Sequence, residues 1–415
     1  MKKVAIITGA TGFIGGHLVK RFLESAEFEK VITIVRSSKA HPPAERMMSV
    51  LSQLNGKPAG WPKKPVVLKG DVTLETCGLD AAMLTELKKL GSRAELFHVA
   101  ADIRFGEAER EEIFSTNLEG TRNVLNLAEE AGIKRIHHFS TAYIFGDFRK
   151  TAGEEDCWVG QEFRNPYEES KFKAEKLVEE YTRRCGFATT VYRPSIVVGD
   201  SRTGQALRFF GYYGYMKGFE ILRRWVIRNL NHKDGYRKEG IFQDKNGVLH
   251  LPIRLWGVPQ ATVNLVCVDY LVDVIFKLAA NPLSIGKTFH VVNPEPPRFG
   301  WLLETGLKVL KVSGVRVLDA SHLEGQSLKE IKAIVIRTPI IDELEKKVNQ
   351  LIMSYIDYVE GEPIFTQDNV KAALGYIPKH PLMDESLIIK LLNHAILRRF
   401  NGVEVASQQF AAGYH

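Results

Sequence analysis

The sequence is poor in cysteine, and its four cysteines lie far apart along 415 residues. Cys77, Cys157, Cys185 and Cys267 form no pair with the spacing of metal ligands, and they lack the density of a disulfide framework. We therefore expect free thiols and no bound metal.

Long apolar runs are also missing, since every such run is too short or too interrupted to span a membrane. The first residues, "KKVAIITGATGFIGG", pass from a short strand straight into glycines, unlike a secretory signal peptide. These features predict a cytoplasmic protein without a transmembrane segment.

Excess charge of either sign is small. The net charge is +7, and the composition, 45% hydrophobic and 25% charged, is that of a soluble globular protein. A modest positive excess suits anionic partners such as phosphates, but it is spread along the chain and selects none of them. No nucleic-acid recognition module is visible, so we expect no nucleic-acid partner.

What the first half does contain is a regular alternation of apolar runs and helical stretches. This pattern predicts an α/β fold with a doubly wound, Rossmann-type parallel sheet, in which ligands bind beyond the carboxyl ends of the strands. The expected helices include 16–26, 80–90, 117–131 and 167–185. The expected strands are 4–8, 31–35, 65–70, 94–100, 135–140 and 189–194.

The alternation ends near residue 205. Residues 206–262 are rich in aromatics and carry ten Lys or Arg against four Asp or Glu. We predict a Rossmann domain over 1–205, to which 260–295 returns, and a smaller, interwoven substrate-binding lobe made of 206–259 and 296–415. The aromatics and arginines either line a tunnel for an apolar chain with phosphates at its mouth, or form the lobe's own core and a solvated face.

The glycine-rich turn "TGATGFIGG" follows the first strand and opens a helix. Glycines there let the backbone turn tightly and approach a pyrophosphate at the helix N-terminus, which predicts dinucleotide binding. The residues of this turn that we expect at the cofactor are Gly9, Thr11, Gly12, Phe13, Ile14 and Gly15.

The end of the second strand indicates which dinucleotide binds. Arg36 stands where an NAD site carries an acid, and Ser37, Ser38 and Lys39 follow it. We therefore predict NADP(H), although Arg36 can also be read as a solvated loop residue. Further along, "GDVT" and "HVAA" predict cofactor contacts at Asp71, Val72, Ala100 and Ala101.

The stretches "FSTAYIFG" and "NPYEESK" carry the candidate catalytic groups. Thr141 follows the fifth strand, and Tyr167 lies four residues before Lys171 on one helix face. A free tyrosine titrates near ~10, and a nearby ammonium lowers that pKa. We therefore expect Tyr167 to be the general acid, Lys171 its tuner, and Thr141 a hydrogen-bond donor to the reacting oxygen.

In order and spacing these motifs, together with "NLEGT" and "YRPSIVVG", resemble the extended short-chain dehydrogenase/reductase family over roughly the first 200 residues. The resemblance implies that Thr141, Tyr167 and Lys171 are catalytic and that Lys171 also holds the nicotinamide ribose. It implies a structural role beside the cofactor for Asn117. It also implies that Pro194, Ser195 and Ile196 border the nicotinamide.

"HVAADIRF", "STAY" and the segment 261–294 are similar to the fatty acyl-CoA reductase and thioester reductase branch of that family. This resemblance implies an NADPH-dependent enzyme of lipid metabolism. It would reduce an acyl-CoA or an acyl-carrier-protein thioester to an aldehyde, and an alcohol if a second hydride follows.

Two other functions stay open. A ketone reductase or hydroxy-dehydrogenase acting on a polyketide-, quinolone- or steroid-like molecule would use the same triad. A non-catalytic NADP(H)-sensing regulator is a different class, although such proteins tend to lose the Tyr or Lys.

A homodimer is a family-level expectation, and the basic segment "FEILRRWVIRNL" suggests peripheral contact with a membrane surface.

Overall fold

The protein is described by a computed structural model that covers residues 2–38, 40–55, 63–230, 235–319 and 338–401. Lys39 and the segments 231–234, 320–337 and 402–415, which belong to regions discussed above, lie outside the described residues.

Seven parallel strands form the main sheet, which confirms the predicted α/β class. The strands of the described chain are β1 Lys3–Thr8, β2 Phe28–Val35, β3 Val66–Lys69, β4 Ala94–His98, β5 Arg135–Phe139, β6 Thr151–Ala152, β7 Ala188–Pro194, β8 Ile196–Val198, β9 Phe242–Gln243, β10 Leu249–His250, β11 Arg254–Gly257, β12 Leu265–Cys267, β13 Thr288–Val291, β14 Val312–Ser313, β15 Arg316–Asp319 and β16 Ile364–Phe365.

Helices pack on both faces of this sheet and build most of the remaining chain. Their bounds are α1 Phe13–Glu24, α2 Pro43–Asn55, α3 Ala81–Lys88, α4 Arg110–Phe114, α5 Gly120–Glu130, α6 Pro166–Cys185, α7 Tyr212–Asn229, α8 Gly235–Lys238, α9 Val268–Ala280, α10 Phe299–Val309, α11 Pro339–Ile352, α12 Asp368–Leu374 and α13 Glu385–Leu397.

The strand order in the sheet is β13-β7-β5-β4-β1-β2-β3. The chain therefore moves outward from β1 to β3, returns to the other side of β1, and continues outward from β4. The direction reverses between β1 and β4, and in such sheets the crevice beyond the carboxyl ends at this reversal is where ligands bind.

Both faces of β1 are buried, which explains why its sequence is apolar without alternation. Ala5 and Ile7 face one hydrophobic cluster, whereas Val4 and Ile6 face the other. Because successive side chains of a strand point to opposite faces, one short apolar run serves both cores.

The aromatic segment after residue 205 forms helix α7, and its rings belong to the larger of the two cores. Tyr213, Met216 and Phe219 are buried in the same cluster as Ala5 and Ile7 of the sheet. Their burial agrees with the interpretation that these aromatics form a core. Outside this core, Arg224 pairs with Glu220 at 2.6 Å on the same helix.

Segments beyond residue 260 return to the Rossmann sheet, where β13 pairs with β7. The boundaries of the two predicted domains stay a prediction. No helix within the described ranges is long and apolar enough to cross a lipid bilayer.

A buried ion pair fastens α6 to β7. The Arg193 guanidinium donates to both oxygens of Glu175, with Nη2 at 2.7 Å from Oε2 and Nε at 3.0 Å from Oε1. Both side chains are buried, at 2% and 6% exposure. Removing one partner of such a pair leaves an uncompensated charge in a medium of low dielectric constant.

We predict that Glu175→Ala lowers the free energy of unfolding by about 3–5 kcal/mol, measured by urea denaturation. The matched control is Glu179→Ala on the same helix, whose partner Lys176 is exposed. That change should cost less than about 1 kcal/mol. Equal losses in the two variants would contradict a structural role for the buried pair.

Candidate active site

The glycine turn between β1 and α1 brings two backbones into close approach. Gly9 has φ +69°, and a Cβ on it would lie 2.5 Å from the nitrogen of Ala100, just beyond β4. A Cβ on Gly15 would lie 2.1 Å from the carbonyl oxygen of Gly9. Gly12, which precedes α1, has no side-chain cap. The first amides of the helix are thus left for an anion, as a pyrophosphate site requires.

The other residues predicted from this turn lie in it or directly after it. Thr11 lies in the turn itself, whereas Phe13 and Ile14 begin the helix, and all three are half-buried. Beyond β4, the Ala100 amide approaches Thr8 Oγ1 at 3.4 Å, and Ala101 follows half-buried. This contact links the ends of β1 and β4 at the point where the strand order of the sheet reverses.

Asp71 and Val72 lie in the turn that follows β3. Asp71 Oδ1 accepts hydrogen bonds from the amide and the hydroxyl of Thr73, both at 3.0 Å. The carbonyl of Val72 accepts from Asn123 Nδ2 at 2.9 Å, which ties this turn to α5. The contacts that Asp71 makes are therefore those of a turn residue.

Three arginines converge beside the end of β2. Arg36 is exposed there and is followed by the exposed Ser37, and the Arg36 carbonyl accepts a hydrogen bond from Arg46 Nη1. Burial, followed by the positive charges of Arg36 and Arg208, lowers the pKa of Arg46. The Nε of Arg46 is buried and has no hydrogen-bond partner in the described part of the chain. The carboxylate of Asp71 acts on Arg46 in the opposite direction, and the cluster suits an anion such as a phosphate.

Sequence reasoning missed Arg46 and Arg208, because neither belongs to a motif. Arg46 lies on α2, and Arg208 follows more than 150 residues later along the chain, just before α7. The repulsion between Arg208 and Arg36 also lowers the pKa of Arg208, after burial. Only the fold brings these side chains together.

Thr141 and Tyr167 meet at the carboxyl end of β5. Thr141 is buried and caps the short 3-10 turn Ala142–Phe145 by accepting from Tyr143 N at 3.2 Å. Its side chain lies close enough to Tyr167 to act on the pKa of that phenol. Tyr167 lies in the first turn of α6, which Asn165 caps by accepting from Glu168 N at 3.1 Å.

The pKa of Tyr167 is raised to about 12, chiefly by burial. The nearby Thr141 side chain opposes this rise, and the carboxylate of Glu168 adds to it. The expectation that Lys171 lowers this pKa is wrong for this structure, because the desolvation of the phenol outweighs any attraction to an ammonium. At neutral pH Tyr167 therefore keeps its proton.

Lys171 is buried one turn further along α6 and donates from Nζ to the carbonyl oxygen of Phe139, the last residue of β5. Burial lowers its pKa to about 8, and Glu175 acts in the opposite direction. Burial, together with the charge of Lys171, also lowers the pKa of His98 to about 3. The nearby His98 is thus neutral at physiological pH.

Asn117 lies in a π-helical turn, Ser115–Glu119, inside the region predicted as one helix over 117–131. Its amide donates to the Asp102 carbonyl at 2.8 Å and to Ser170 Oγ at 2.9 Å, and its Oδ1 accepts from Asp102 N at 2.7 Å. The side chain therefore ties the loop after β4 to helix α6. A π-turn of this kind is frequent at functional sites.

The predicted nicotinamide border lies at the end of β7. The carbonyl of Pro194 accepts from Thr141 Oγ1 at 3.4 Å, Ser195 Oγ donates to Asn264 Oδ1 at 2.7 Å, and Ile196 begins β8. These residues thus adjoin the Thr141 side of the site.

Comparison with protein families gives one match, to NAD-binding domains described as male sterility protein, over residues 7–275. Among curated proteins, a nonribosomal peptide synthetase of Aspergillus flavus, asaC, is 28% identical over 321 residues, which are 74% of this chain and 28% of that protein. The aldehyde reductase lnbA of the same species is 24% identical over 296 residues, 69% of this chain and 26% of lnbA. The chain thus spans little more than a quarter of these relatives.

Among solved structures, the terminal R domain from the myxalamid PKS-NRPS biosynthetic pathway has a TM-score of 0.73 and 24% identity. The match covers 96% of this chain and 92% of that one. The reductase (R) domain of a nonribosomal peptide synthetase from Mycobacterium tuberculosis has a TM-score of 0.63 and 16% identity, covering 97% and 93%. At these identities the likeness concerns the fold.

We predict that Gly15→Ala abolishes NADPH binding, measured by the fluorescence of the bound nucleotide, because the new methyl group would collide with the backbone at Gly9. Gly235→Ala is the control, since its methyl group would meet only the terminal methyl of Ile340. Unchanged binding in Gly15→Ala would show that this turn is not the dinucleotide site.

Proposed function

The chain belongs to the male sterility protein family of NAD-binding domains, and from that membership we propose that it reduces an acyl thioester with NADPH and releases an aldehyde. It is an oxidoreductase of the extended short-chain dehydrogenase/reductase type. The thioester, its carrier and the preference for NADPH are the parts that we propose.

The observation that carries the proposal is the pairing of Tyr167 with Thr141 at the carboxyl end of β5. Because the pKa of Tyr167 is raised to about 12, the phenol holds a proton that it can give to a developing oxyanion. Thr141 offers a second hydroxyl beside it. Two such groups in a buried site stabilise negative charge more strongly than water does.

Lys171 has a different role in this proposal. Its ammonium is buried and fixed by the Phe139 carbonyl, and its pKa of about 8 lets it gain or lose a proton near neutral pH. We assign it to a ribose hydroxyl of the nucleotide and to the return of a proton to Tyr167 after each turnover.

NADPH, when bound, would supply a hydride, which is two electrons and one proton, to the thioester carbonyl carbon. Tyr167 gives its proton to the carbonyl oxygen, so that the C=O bond becomes the C–OH of a hemithioacetal. That hemithioacetal then loses its thiol: the C–S bond breaks, the C=O bond re-forms, and the hydroxyl proton ends on the thiol.

NADPH is favoured over NADH by the three arginines at the end of β2. Arg36, Arg46 and Arg208 repel one another, and a 2′-phosphate is the part of NADPH that NADH lacks. The buried, unpartnered Nε of Arg46 is a donor that such a phosphate would satisfy.

The names of similar proteins support the thioester part of the proposal. Among them are reductase domains of nonribosomal peptide synthetases, a thiolation-reductase di-domain from an archaeal nonribosomal peptide synthetase, and aldehyde reductases. We propose by extension that the natural substrate is an acyl group on a carrier protein or on coenzyme A.

We predict NADPH-dependent release of one free thiol for each aldehyde formed from an acyl-CoA. The measurement is NADPH oxidation with thiol detection against a panel of acyl-CoAs and ketones. Tyr167→Phe should reduce kcat by roughly 10²–10⁴-fold while NADPH still binds. Ketone consumption without any thiol would favour the ketone reductase and contradict the thioester proposal.

We predict that Arg46→Met weakens NADPH binding by roughly 10- to 100-fold and leaves NADH binding unchanged. A hydrogen bond to a charged group contributes about 1.5–3 kcal/mol, and 1.4 kcal/mol is about tenfold in affinity. Arg184→Met is the control, since Arg184 is half-exposed and pairs with Glu129 at the end of α6. Equal weakening for both nucleotides would contradict a 2′-phosphate site.

A further inference from the structure

A C-terminal segment lies against the start of helix α6. The segment is the 3-10 stretch Met353–Val359, which follows α11. Helix α7 holds it through two glycines, since a Cβ on Gly214 would lie 2.2 Å from the Tyr355 hydroxyl and one on Gly218 would lie 2.7 Å from Ile352 Cγ2. The aromatic helix α7 therefore determines where this segment sits.

The segment reaches the helix through Tyr358. The Tyr358 hydroxyl donates to Glu168 Oε1 at 2.7 Å and accepts from Asn165 Nδ2 at 2.9 Å. Asn165 is also the cap of α6. One hydroxyl from the C-terminal segment thus contacts the cap residue and the residue directly after Tyr167.

Glu168 is a fully buried carboxylate whose counter-ion is Arg164. The Arg164 Nη2 lies 2.7 Å from Glu168 Oε1, and the Arg164 amide donates to Oε2 at 3.1 Å. The guanidinium also lies over the Tyr358 ring, 4.2 Å from its centroid. Burying this ion pair costs free energy. Its position beside Tyr167 therefore suggests a role other than stabilising the fold.

Phe105 lies between the segment and Tyr167. Phe105, from the loop after β4, stacks on Tyr358 with centroids 5.6 Å apart and lies 5.9 Å from the Tyr167 ring. Docking of Met353–Val359 therefore fixes both the ring and the helix turn that carry the phenol.

We propose that Glu168 is a positioning residue which, held by Arg164 and Tyr358, couples the docked C-terminal segment to the orientation and proton affinity of Tyr167. The proposal deepens the proposed function, on which it rests for the role of Tyr167 as the proton donor. In this arrangement the docked segment holds Glu168, and through it the first turn of α6, which carries the phenol to Thr141.

Other titratable and charged groups face this cluster and are part of its electrostatics. From the turn after β5, Tyr143 donates to Glu362 Oε2 at 2.7 Å, and the charges of Arg164 and Glu168 both act on Arg149. Glu362 is buried beyond Tyr143, and burial raises its pKa. Within this cluster the charge that adjoins Tyr167 directly along the chain is that of Glu168, and it adds to the raised pKa of the phenol.

The first test is Tyr358→Phe, which removes the hydroxyl and leaves the ion pair and the ring in place. We expect kcat for reduction of the best carbonyl substrate to fall about tenfold, with the Kd of NADPH within twofold of the parent. Tyr270→Phe is the matched control, because it loses a buried hydroxyl bonded to the Pro378 carbonyl at 3.1 Å. A Tyr358→Phe protein with parental kcat would overturn the proposal.

The second test needs neither substrate nor nucleotide. The alkaline difference spectrum between a protein with Tyr167 and the same protein carrying Tyr167→Phe reports ionisation of this phenol alone. We expect Glu168→Gln to lower the pH of that ionisation by roughly one unit, because the neighbouring negative charge is gone. An unchanged titration in folded Glu168→Gln would overturn the proposal.

The two tests separate this proposal from the proposed function. If no thioester is reduced but the titration shifts, the proposed function fails and the coupling stands. If thioesters are reduced and the titration does not shift, only the coupling fails. Should Glu168→Gln lose its circular dichroism, Tyr358→Phe decides, since it keeps the Arg164–Glu168 pair.

Discussion

The hydrogen bond from the Lys171 ammonium to the Phe139 carbonyl fastens helix α6 to the end of a central strand, and the site depends on it. A buried ammonium needs a strong acceptor, and this carbonyl fixes the rotation of α6 about its own axis. Tyr167, one turn earlier, is thereby held beside Thr141, which lies two residues beyond Phe139. The same burial keeps the pKa of His98 low, so that no second positive charge competes with Lys171.

The strand order of the main sheet also determines where the site lies. Because the strand order reverses between β1 and β4, the glycine turn and the Ala100 backbone come close enough to exclude a side chain at Gly9. The turn after β5 then delivers Thr141 to the same edge, as parallel strands require. Helix α7 packs against the C-terminal segment whose Tyr358 contacts the start of α6.

Sequence patterns predicted the sheet and helix α6 well, because neighbouring residues along the chain suffice to indicate a buried parallel strand or a capped helix. Helix α6 begins at Pro166 and ends at Cys185, against the predicted 167–185. The helix predicted over 117–131 begins instead in the π-turn Ser115–Glu119 and continues as α5 from Gly120. The side-chain contacts of Asn117 to Asp102 and Ser170 are long-range, so the local pattern does not reveal this turn.

Local sequence patterns also could not reveal residues that only tertiary packing brings to the site. Arg46 and Tyr358 belong to no motif and reach the site only through the packing of α2 and of the C-terminal segment. The pKa of Tyr167 was predicted with the wrong sign, because spacing along a helix reveals a neighbouring charge but not the loss of water around the phenol. Burial of this kind is a property of the whole fold.

The most direct test of the account is a single turnover with an acyl-CoA and NADPH deuterated at the transferred position, followed by mass spectrometry of the product. The account predicts an aldehyde with one deuterium on its carbonyl carbon and one equivalent of free thiol. An unlabelled aldehyde, or a deuterated product formed without free thiol, would contradict it.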